Sequence, residues 1–316
     1  MSTDSLKVLI VAGGLTHERD VSVRSGRRVA NSLINQGFDA KVVDFDQNLP
    51  SEISAFGPDV VWPLVHGSLG EDGSLQSLLE GVGVPYVGST PAQAMLASNK
   101  PTAKALVGAA GHDTPGWIAL PQLLFRQLGA HNVLGMINSS LTFPLVVKPS
   151  SGGSALGMSR AQDPGDLRSA MVDAFSYEEH VMLERFIEGR DIAVSVVDLD
   201  EGPIALPPVE VSTDDGHYDY EARYTTDESE YFVPARLSND EMTDVQAAAI
   251  QIHELLGLRD LSRIDFIVDD NGSFWFIDAN VSPGMTDTSL FPQAAEATGS
   301  FDEICAAIVR YVASRD

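Results

Sequence analysis

Short apolar runs alternate with amphipathic segments along the first third of the chain. Residues 7–14 form an apolar run that ends in two glycines, which predicts a buried strand followed by a turn. A helix should follow from about Ser22, with Val29 and Leu33 on its inner face. Further strands are predicted at 41–45 and 59–65. Strands and helices in this order indicate a small parallel sheet with helices packed against it.

The remaining two thirds of the chain alternate less regularly. The clearest helix signal is a capping box, Ser238 to Glu241, which is followed by apolar residues at helical spacing and a stop at Gly257. Ser300 to Glu303 repeats the capping pattern before a last helix. Strands are predicted at 145–149, 181–185 and 191–198, a helix at 166–175, and connectors around Pro115 and at 129–140.

Two strand-like segments near the C-terminus, 263–266 and 275–280, flank a turn that contains glycine. A hairpin would bring Asp265, Asp278 and Asn280 together, because residues two apart on one strand share a face. Such a set of oxygen ligands suits a hard cation like Mg²⁺ and is poorly suited to zinc. The hairpin is therefore a candidate metal site.

The surroundings of this candidate metal site separate two interpretations. An acidic hairpin with its charges in solvent is the alternative to a metal site. Apolar residues occupy much of both strands, which argues against a merely solvated face; they are Ile264, Phe266, Phe274, Phe276 and Ile277. Arg263 adds a positive charge on the side of Asp265. Together these residues suggest phosphoryl or acyl phosphate chemistry.

Composition and charge limit the classes of partner. The chain has 316 residues, 44% of them hydrophobic, which is enough for two or three small domains. Its formal net charge of -25 opposes binding to nucleic acid or to anionic membranes. No apolar run approaches the roughly 18 residues of a transmembrane helix, and the N-terminus lacks a signal-peptide layout. The single cysteine, Cys305, excludes an intrachain disulfide, so we expect a cytoplasmic protein.

Two loops that contain glycine follow the first predicted strands. The loop at 13–22 lacks the G-x-G-x-x-G spacing of a dinucleotide site. Its Glu18 could receive a ligand ammonium group, or it could be a helix-start acid favoured by the helix dipole. The loop at 66–76 carries a histidine, three glycines and two acids at a strand end, where open α/β sheets bind ligands. A tight turn with Asp72 as N-cap is the alternative there.

Three later segments could form a nucleotide site. Lys148 ends a strand and precedes the glycine-rich loop 150–157, whose backbone N–H groups could surround phosphates, although the sequence is not a Walker A motif. The segment 184–191 places an acid among bulky apolar residues, as a purine and ribose pocket requires, and a charged hairpin turn explains it nearly as well. The long polar stretch 212–230 contains three tyrosines and is interpreted as a lid.

Taken together and in order, these motifs resemble the D-alanine-D-alanine ligases of the ATP-grasp superfamily. The resemblance covers nearly the whole chain, and the segments that carry it are 13–22, 66–76, Lys100, 148–154, 184–191, 218–224 and 263–290. It implies an α/β N-terminal parallel-sheet domain followed by α+β ATP-grasp domains, with boundaries at 1–98, 99–183 and 184–316. It also implies a homodimer.

The resemblance implies a two-step ligation that uses ATP and Mg²⁺ or Mn²⁺. The carboxylate of one D-alanine would attack the γ-phosphate of ATP, and the amine of a second D-alanine would then displace phosphate from the acyl phosphate. Tyr224, where histidine would stand in a depsipeptide-forming ligase, resembles the dipeptide-forming enzymes.

The resemblance also implies a role for each matching residue. The implied catalytic residues are Glu18, Ser154 and Tyr224, which would hydrogen-bond over the first substrate, and Arg263 and Gly284, which would stabilise the oxyanion. The implied nucleotide-binding residues are Lys100, Lys148, Glu184, Arg185, Phe186, Ile187, Asp191 and Arg223. The implied substrate-binding residues are Ser22, His66, Ser289 and Leu290, and the implied metal ligands are Asp265, Asp278 and Asn280.

Four positions depart from the pattern of the family. They are Asn99 for an acid, Ala155 for a serine, Arg223 for a lysine and Asp278 for a glutamate. Arginine keeps the charge of lysine but not its geometry, and aspartate is one methylene shorter than glutamate. Two alternatives therefore stay open, namely a ligase for a different amino acid pair and a non-catalytic homologue that binds nucleotide or amino acid.

Overall fold

The computed structural model describes residues 5–152, 155–213 and 229–315. Ser154, Arg223 and Tyr224 lie outside the described residues, and so does the 218–224 segment of the expected lid. What the sequence predicts for them stays a prediction.

The first part of the chain forms the predicted parallel sheet. Its elements are β1 (Lys7–Ala12), α1 (Arg19–Asn35), β2 (Asp39–Asp44), α2 (Leu49–Phe56), β3 (Val60–Pro63), α3 (Ser68–Glu71), α4 (Ser74–Val82) and α5 (Pro91–Ser98). The strands lie in the order β2–β1–β3 and all run parallel. Val8 and Ile10 on the central strand are completely buried, as the apolar run predicted. Helix α1 begins three residues before the predicted Ser22.

The second part of the chain forms an antiparallel sheet with helices. Its elements are α6 (Lys100–Ala109), β4 (Trp117–Pro121), α7 (Gln122–Leu128), α8 (Ala130–Ser140), β5 (Leu145–Pro149), β6 (Ser159–Ala161), α9 (Leu167–Ala174) and β7 (His180–Arg185). The strand order is β4–β7–β5–β6. The predicted connector at 129–140 is wrong, because α8 occupies it. Val133 and Ile137 lie one turn apart on α8 and are buried in the core of this sheet.

The third part contains a larger antiparallel sheet. Its elements are β8 (Arg190–Leu199), β9 (Gly202–Ala205), β10 (Val209–Thr213), β11 (Ser229–Phe232), α10 (Asn239–Leu255), β12 (Leu261–Val268), β13 (Phe274–Asn280), α11 (Leu290–Thr298) and α12 (Phe301–Ser314). The strand order is β11–β10–β8–β12–β13, and β9 pairs with β8. The capping box of α10 is confirmed, since Ser238 N–H donates to Glu241 Oε2 at 2.8 Å and Ser238 Oγ accepts from Glu241 N–H at 3.3 Å.

The ends of the chain share one hydrophobic core. Val8 and Ile10 of β1 belong to the same buried cluster as Phe291 of α11 and Val309 of α12. Cys305 lies in this cluster, and burial raises the pKa of its thiol to about 12. Among the described helices none is both long enough and apolar enough to cross a membrane.

Candidate active site

A cavity of about 600 Å³ is lined by residues from all three parts of the chain. It lies beside the loops that follow β1, β3 and β5 and beside the β12–β13 hairpin. The predicted site residues that line it are Glu18, Lys100, Lys148, Asp191, Asp265, Asp278 and Leu290. Convergent polar groups in a concave site of this size are typical of small-molecule binding.

The β12–β13 hairpin brings the three predicted metal ligands together. Asp265 lies directly across from Asp278, and Arg263 lies across from Asn280. Arg263 Nε and Nη2 donate to the two oxygens of Asp265 at 2.7 and 2.8 Å. Asn280 Nδ2 donates to Asp265 Oδ2 at 3.0 Å. The bidentate contact fixes the plane of the guanidinium group, which is almost buried.

Lys100 at the start of α6 pairs with Asp278 of this hairpin. Burial alone would raise the pKa of Asp278, but Lys100 and then Lys148 hold it below its usual range. Asp278 is therefore an anion in the folded protein. Lys100 is tied to the glycine-rich loop as well, because its backbone N–H donates to Ser150 O at 2.9 Å.

Glu184 of β7 is a buried carboxylate placed between two lysines. Lys148 of β5 pairs with its Oε1, and Lys104 Nζ of α6 lies 2.9 Å from its Oε2. Burial would raise the pKa of Glu184, but Lys104 and Lys148 lower it overall. Burial lowers the pKa of Lys104 to about 8. The sequence motifs do not include Lys104, although its position one turn after Lys100 places the two lysines on one helix face.

The predicted purine and ribose segment connects β7 to β8. The guanidinium carbon of Arg185 lies 4.9 Å from the ring centre of Trp275, and that of Arg160 lies 3.7 Å from the ring centre of Phe186. Ile187 is half-buried, and Asp191 lines the cavity.

The N-terminal loop contributes Glu18 and Ser22, which have different surroundings. Glu18 is buried and lines the cavity. Ser22 is fully buried, and its Oγ donates to Leu64 O at 2.6 Å and accepts from Gly13 N–H at 2.7 Å. The hydroxyl thus connects the turn after β1 to the end of β3. The contact is consistent with a role in shaping the site rather than in touching a ligand.

His66 lies beneath the cavity in a network with a serine that sequence analysis missed. His66 Nε2 lies 3.1 Å from Ser25 Oγ, which also accepts from Met285 N–H at 3.0 Å. Ser25 therefore connects α1 to the loop that carries Gly284. Burial, and to a smaller extent the charge of Arg263, lowers the pKa of His66 to about 4, so the imidazole is neutral at neutral pH.

Glu71 is a third residue of the site to which the sequence motifs assign no role. Its Oε1 lies 3.8 Å from His66 Nδ1 and 3.3 Å from the backbone N of Gly67. Burial, and then the charge of Glu18, raises the pKa of Glu71 to about 8. A signal was present in the acid-rich loop 66–76, but the sequence does not show that Glu71 and Glu18 are neighbours.

The loop before α11 and the first residue of that helix contain the remaining predicted residues. A Cβ added at Gly284 would lie 2.8 Å from Ser289 Oγ, so a larger residue at this position would require the Ser289 side chain to move. Ser289 is the N-cap of α11, and Leu290 is its first residue. Backbone N–H groups at a helix N-terminus favour an anion, as a substrate carboxylate would be.

The hairpin residues fit a magnesium ion that arrives with a nucleotide. The candidate donors are oxygens of two carboxylates and one amide, Asp265, Asp278 and Asn280, and both carboxylates face the cavity. Within the described ranges no group of three or more His, Cys, Asp or Glu side chains could hold a metal by itself. Mg²⁺ commonly takes only one or two protein carboxylates and completes its shell with phosphate oxygens and water, so two carboxylates suffice.

Comparison with known sequences identifies relatives over the full chain. Family models described as the N-terminus and the C-terminus of D-ala D-ala ligase match residues 47–89 and 106–310. A D-alanine--D-alanine ligase of Bordetella petrii is 36% identical over 98% of this chain and 93% of its own. D-alanine--D-alanine ligase B of Chromobacterium violaceum is 34% identical over 95% of both chains.

Solved structures show the same fold. The VanG D-Ala:D-Ser ligase of Enterococcus faecalis has a TM-score of 0.82 at 25% identity and covers 98% of this chain and 99% of its own. A D-alanine--D-alanine ligase of Bacillus anthracis has a TM-score of 0.80 at 27% identity, with 98% and 97% coverage. The Bacillus anthracis enzyme complexed with ATP has a TM-score of 0.79 at 25% identity. These similarities confirm the predicted fold class.

Proposed function

The chain belongs to the D-alanine-D-alanine ligase family, an ATP-dependent family, and we propose that it joins two D-alanine molecules into D-alanyl-D-alanine for peptidoglycan synthesis. One observation carries the proposal. The same cavity is lined by Glu18, the cations Lys100 and Lys148, and the carboxylates Asp265 and Asp278. Such a site can bind an amino acid and a nucleotide with its metal side by side.

The first step joins two anions and therefore needs positive charge. A carboxylate oxygen of one D-alanine bonds to the γ-phosphorus of ATP while the bond to ADP breaks, which gives an acyl phosphate. Lys100 and Lys148 reduce the repulsion between the reactants, and Glu18 accepts the ammonium group of the D-alanine. Asp265, Asp278 and Asn280 would hold Mg²⁺, which would neutralise phosphate charge.

The second step forms the peptide bond. The amine nitrogen of a second D-alanine bonds to the acyl carbon, phosphate leaves, and the amine loses a proton. Arg263, oriented by its two hydrogen bonds to Asp265, and the backbone N–H of Gly284 stabilise the negative oxygen of the tetrahedral species. Ser289 and Leu290 at the start of α11 bind the carboxylate of this second D-alanine.

A phosphate-release assay tests the function. With Mg²⁺ and ATP, D-alanine should give ADP, phosphate and dipeptide, whereas L-alanine should give none. Adding D-serine to D-alanine tests the alternative of a mixed pair, and a mixed product formed in preference to D-alanyl-D-alanine would correct the proposed substrate. A protein that binds ATP but forms no ADP with D-alanine would contradict the catalytic interpretation and support a non-catalytic homologue.

A pair of variants separates turnover at this site from a contaminating enzyme. Asp278→Ala removes a proposed metal ligand and should release no phosphate above background, while circular dichroism shows a folded protein. Asp270→Ala is the matched control, because Asp270 is an exposed acid in the turn of the same hairpin and should keep full turnover. Equal turnover in both variants would remove Asp278 from the site.

We further propose a cytoplasmic homodimer that binds neither nucleic acid nor membranes, with domains at 1–98, 99–183 and 184–316. The charge of -25 supports the absence of polyanionic partners. The three sheets support this division. Strands β1–β3 precede residue 98, β4–β7 lie within 99–183 or at its end, and β8–β13 follow. The family resemblance supports the dimer and the compartment.

A further inference from the structure

Lys104 is a buried lysine that neither proposed chemical step uses. Its side chain is completely enclosed, and its Nζ lies 2.9 Å from Glu184 Oε2. The same Nζ donates to Phe276 O at 2.9 Å, on the strand that carries Asp278 two residues later. Lys104 therefore connects helix α6 to both β7 and β13.

Stability alone does not explain a charged side chain at this position. Removing an ammonium group from water is costly, and a buried ion pair can often be replaced by apolar residues of similar size without loss of stability. A methionine would fill nearly the same volume as Lys104. The charge of Lys104 therefore calls for another explanation.

The charges around Glu184 supply that explanation. One carboxylate contacts two ammonium groups, those of Lys104 and Lys148, so the three side chains carry a net charge of about +1 when all are ionised. Without Lys104, Glu184 and Lys148 would form a neutral and exclusive pair. Lys148 lines the cavity, whereas Lys104 does not, so the surplus positive charge is presented to the cavity through Lys148.

We propose that Lys104 is a positioning residue for the nucleotide: by sharing the carboxylate of Glu184, it leaves Lys148 able to bind the phosphates of ATP. The inference rests on the proposed function, because it takes Lys148 as a nucleotide-binding residue. It adds a role for a residue outside the cavity, which acts through Glu184 and does not touch the ligand.

Binding of a non-hydrolysable ATP analogue with Mg²⁺, measured by calorimetry on the full-length protein, tests the inference. Lys104→Met should raise the Kd of the analogue by about tenfold or more, since losing a charge interaction of this kind easily exceeds 1.4 kcal/mol. Lys41→Met is the matched control, because Lys41 is exposed and pairs with Glu52 on the N-terminal sheet domain. A Kd for Lys104→Met within twofold of the parent would overturn the proposal.

The same measurement in a Glu184→Gln protein distinguishes a positioning role of Lys104 from a merely structural one. If Lys104 acts through Glu184, Lys104→Met should change the Kd by less than about twofold in a Glu184→Gln protein, because the effects of coupled residues do not add. An equal loss in both backgrounds would show that Lys104 acts independently of Glu184. Should Lys104→Met alone fail to fold, a change of more than about twofold in Kd between the Glu184→Gln protein and the double variant would still overturn the proposal.

The readout is independent of ligation. A parent protein that binds the analogue but releases no phosphate with D-alanine would contradict the proposed function and leave the inference about Lys104 standing. A parent that binds no analogue would overturn the inference itself.

Discussion

At the scale of single residues, the site contains less charge than its sequence suggests. Burial followed by Arg263 lowers the pKa of His66 to about 4, and burial followed by Glu18 raises that of Glu71 to about 8. At neutral pH the imidazole is therefore neutral, and Glu71 is largely protonated. The loop 66–76 could be chosen from sequence as part of the site, because acids and glycines at a strand end are conspicuous. The protonation states of His66 and Glu71 could not be predicted from the sequence, because Arg263 and Glu18, which shift their pKa values, are distant in the chain.

The displaced pKa of His66 predicts a dependence of stability on pH. Because its folded pKa of about 4 lies below the ordinary 6.5, the stabilising contribution is complete above pH 6.5 and is lost as the pH falls towards 4. Relative to His66→Gln, the parent should lose about 3 kcal/mol of unfolding free energy across that interval. Urea unfolding at several pH values measures the difference.

Glu71 is present in both the parent and the variant, and its own contribution to stability changes with pH in the opposite direction. With its raised pKa, Glu71 stabilises the folded state below about pH 4.5, and this contribution is lost as the pH rises through about 8. His131→Gln, on the exposed face of α8, serves as the control and should follow the parent. A constant difference between parent and His66→Gln from pH 6.5 to 4 would contradict the assignment.

At the scale of elements, helix α6 organises the cations of the site. Lys100 in its first turn contacts Asp278, and Lys104 one turn later contacts Glu184. The N-cap of α6 is Asn99, whose Oδ1 accepts from Thr102 N–H at 3.0 Å and from Thr102 Oγ1 at 2.7 Å. An aspartate at this position, which the family resemblance leads us to expect, would supply the same capping oxygen as Asn99.

Two substitutions at Asn99 should therefore have different effects. Asn99→Ala removes the capping oxygen and should lower the unfolding free energy by about 1 kcal/mol, whereas Asn99→Asp keeps it and should remain within a few tenths of the parent. Urea unfolding at pH 7 measures both. If alanine and aspartate destabilise equally, the hydrogen bonds of Asn99 do not matter for stability.

The helices with strong local capping signals in the sequence were predicted correctly. Helix α10 has a complete capping box and regularly spaced apolar residues, and both were visible in the sequence. The last helix, α12, was also predicted, although only Ser300 Oγ caps it, by accepting from Glu303 N–H at 3.3 Å. Helix α8 was missed because two buried apolar residues, Val133 and Ile137, form too short a pattern to indicate a helix.

At the scale of the whole molecule, a buried carboxylate links distant parts of the chain. Asp260 is fully buried, and its Oδ2 accepts from Gly88 N–H at 2.6 Å and from Arg315 Nη2 at 2.7 Å. The N-terminal part, the third sheet and the C-terminal residues thus meet at one side chain. The parallel sheet was predictable from its apolar runs. The packing of the last helix against that sheet was not predictable, because an amphipathic helix does not specify which surface it will cover.

Removing this link should destabilise the protein strongly. Asp260→Ala leaves Gly88 N–H and the guanidinium of Arg315 without their buried acceptor, so the unfolding free energy should fall by about 3 to 5 kcal/mol. Thermal unfolding followed by circular dichroism measures the change. Asp200→Ala, at an exposed turn, is the matched control and should leave Tm nearly unchanged. Equal Tm values for the two variants would show that Asp260 does not join the parts of the chain.

The burial of Cys305 makes this protein suitable for optical measurements. Its thiol is inaccessible and resists ionisation, so dyes that react with thiolates should leave the native chain unlabelled. A cysteine introduced at Leu15, which is fully exposed at the cavity, would then carry the only attached dye. Its emission could follow the binding of each substrate in real time, without first removing a native cysteine from the core.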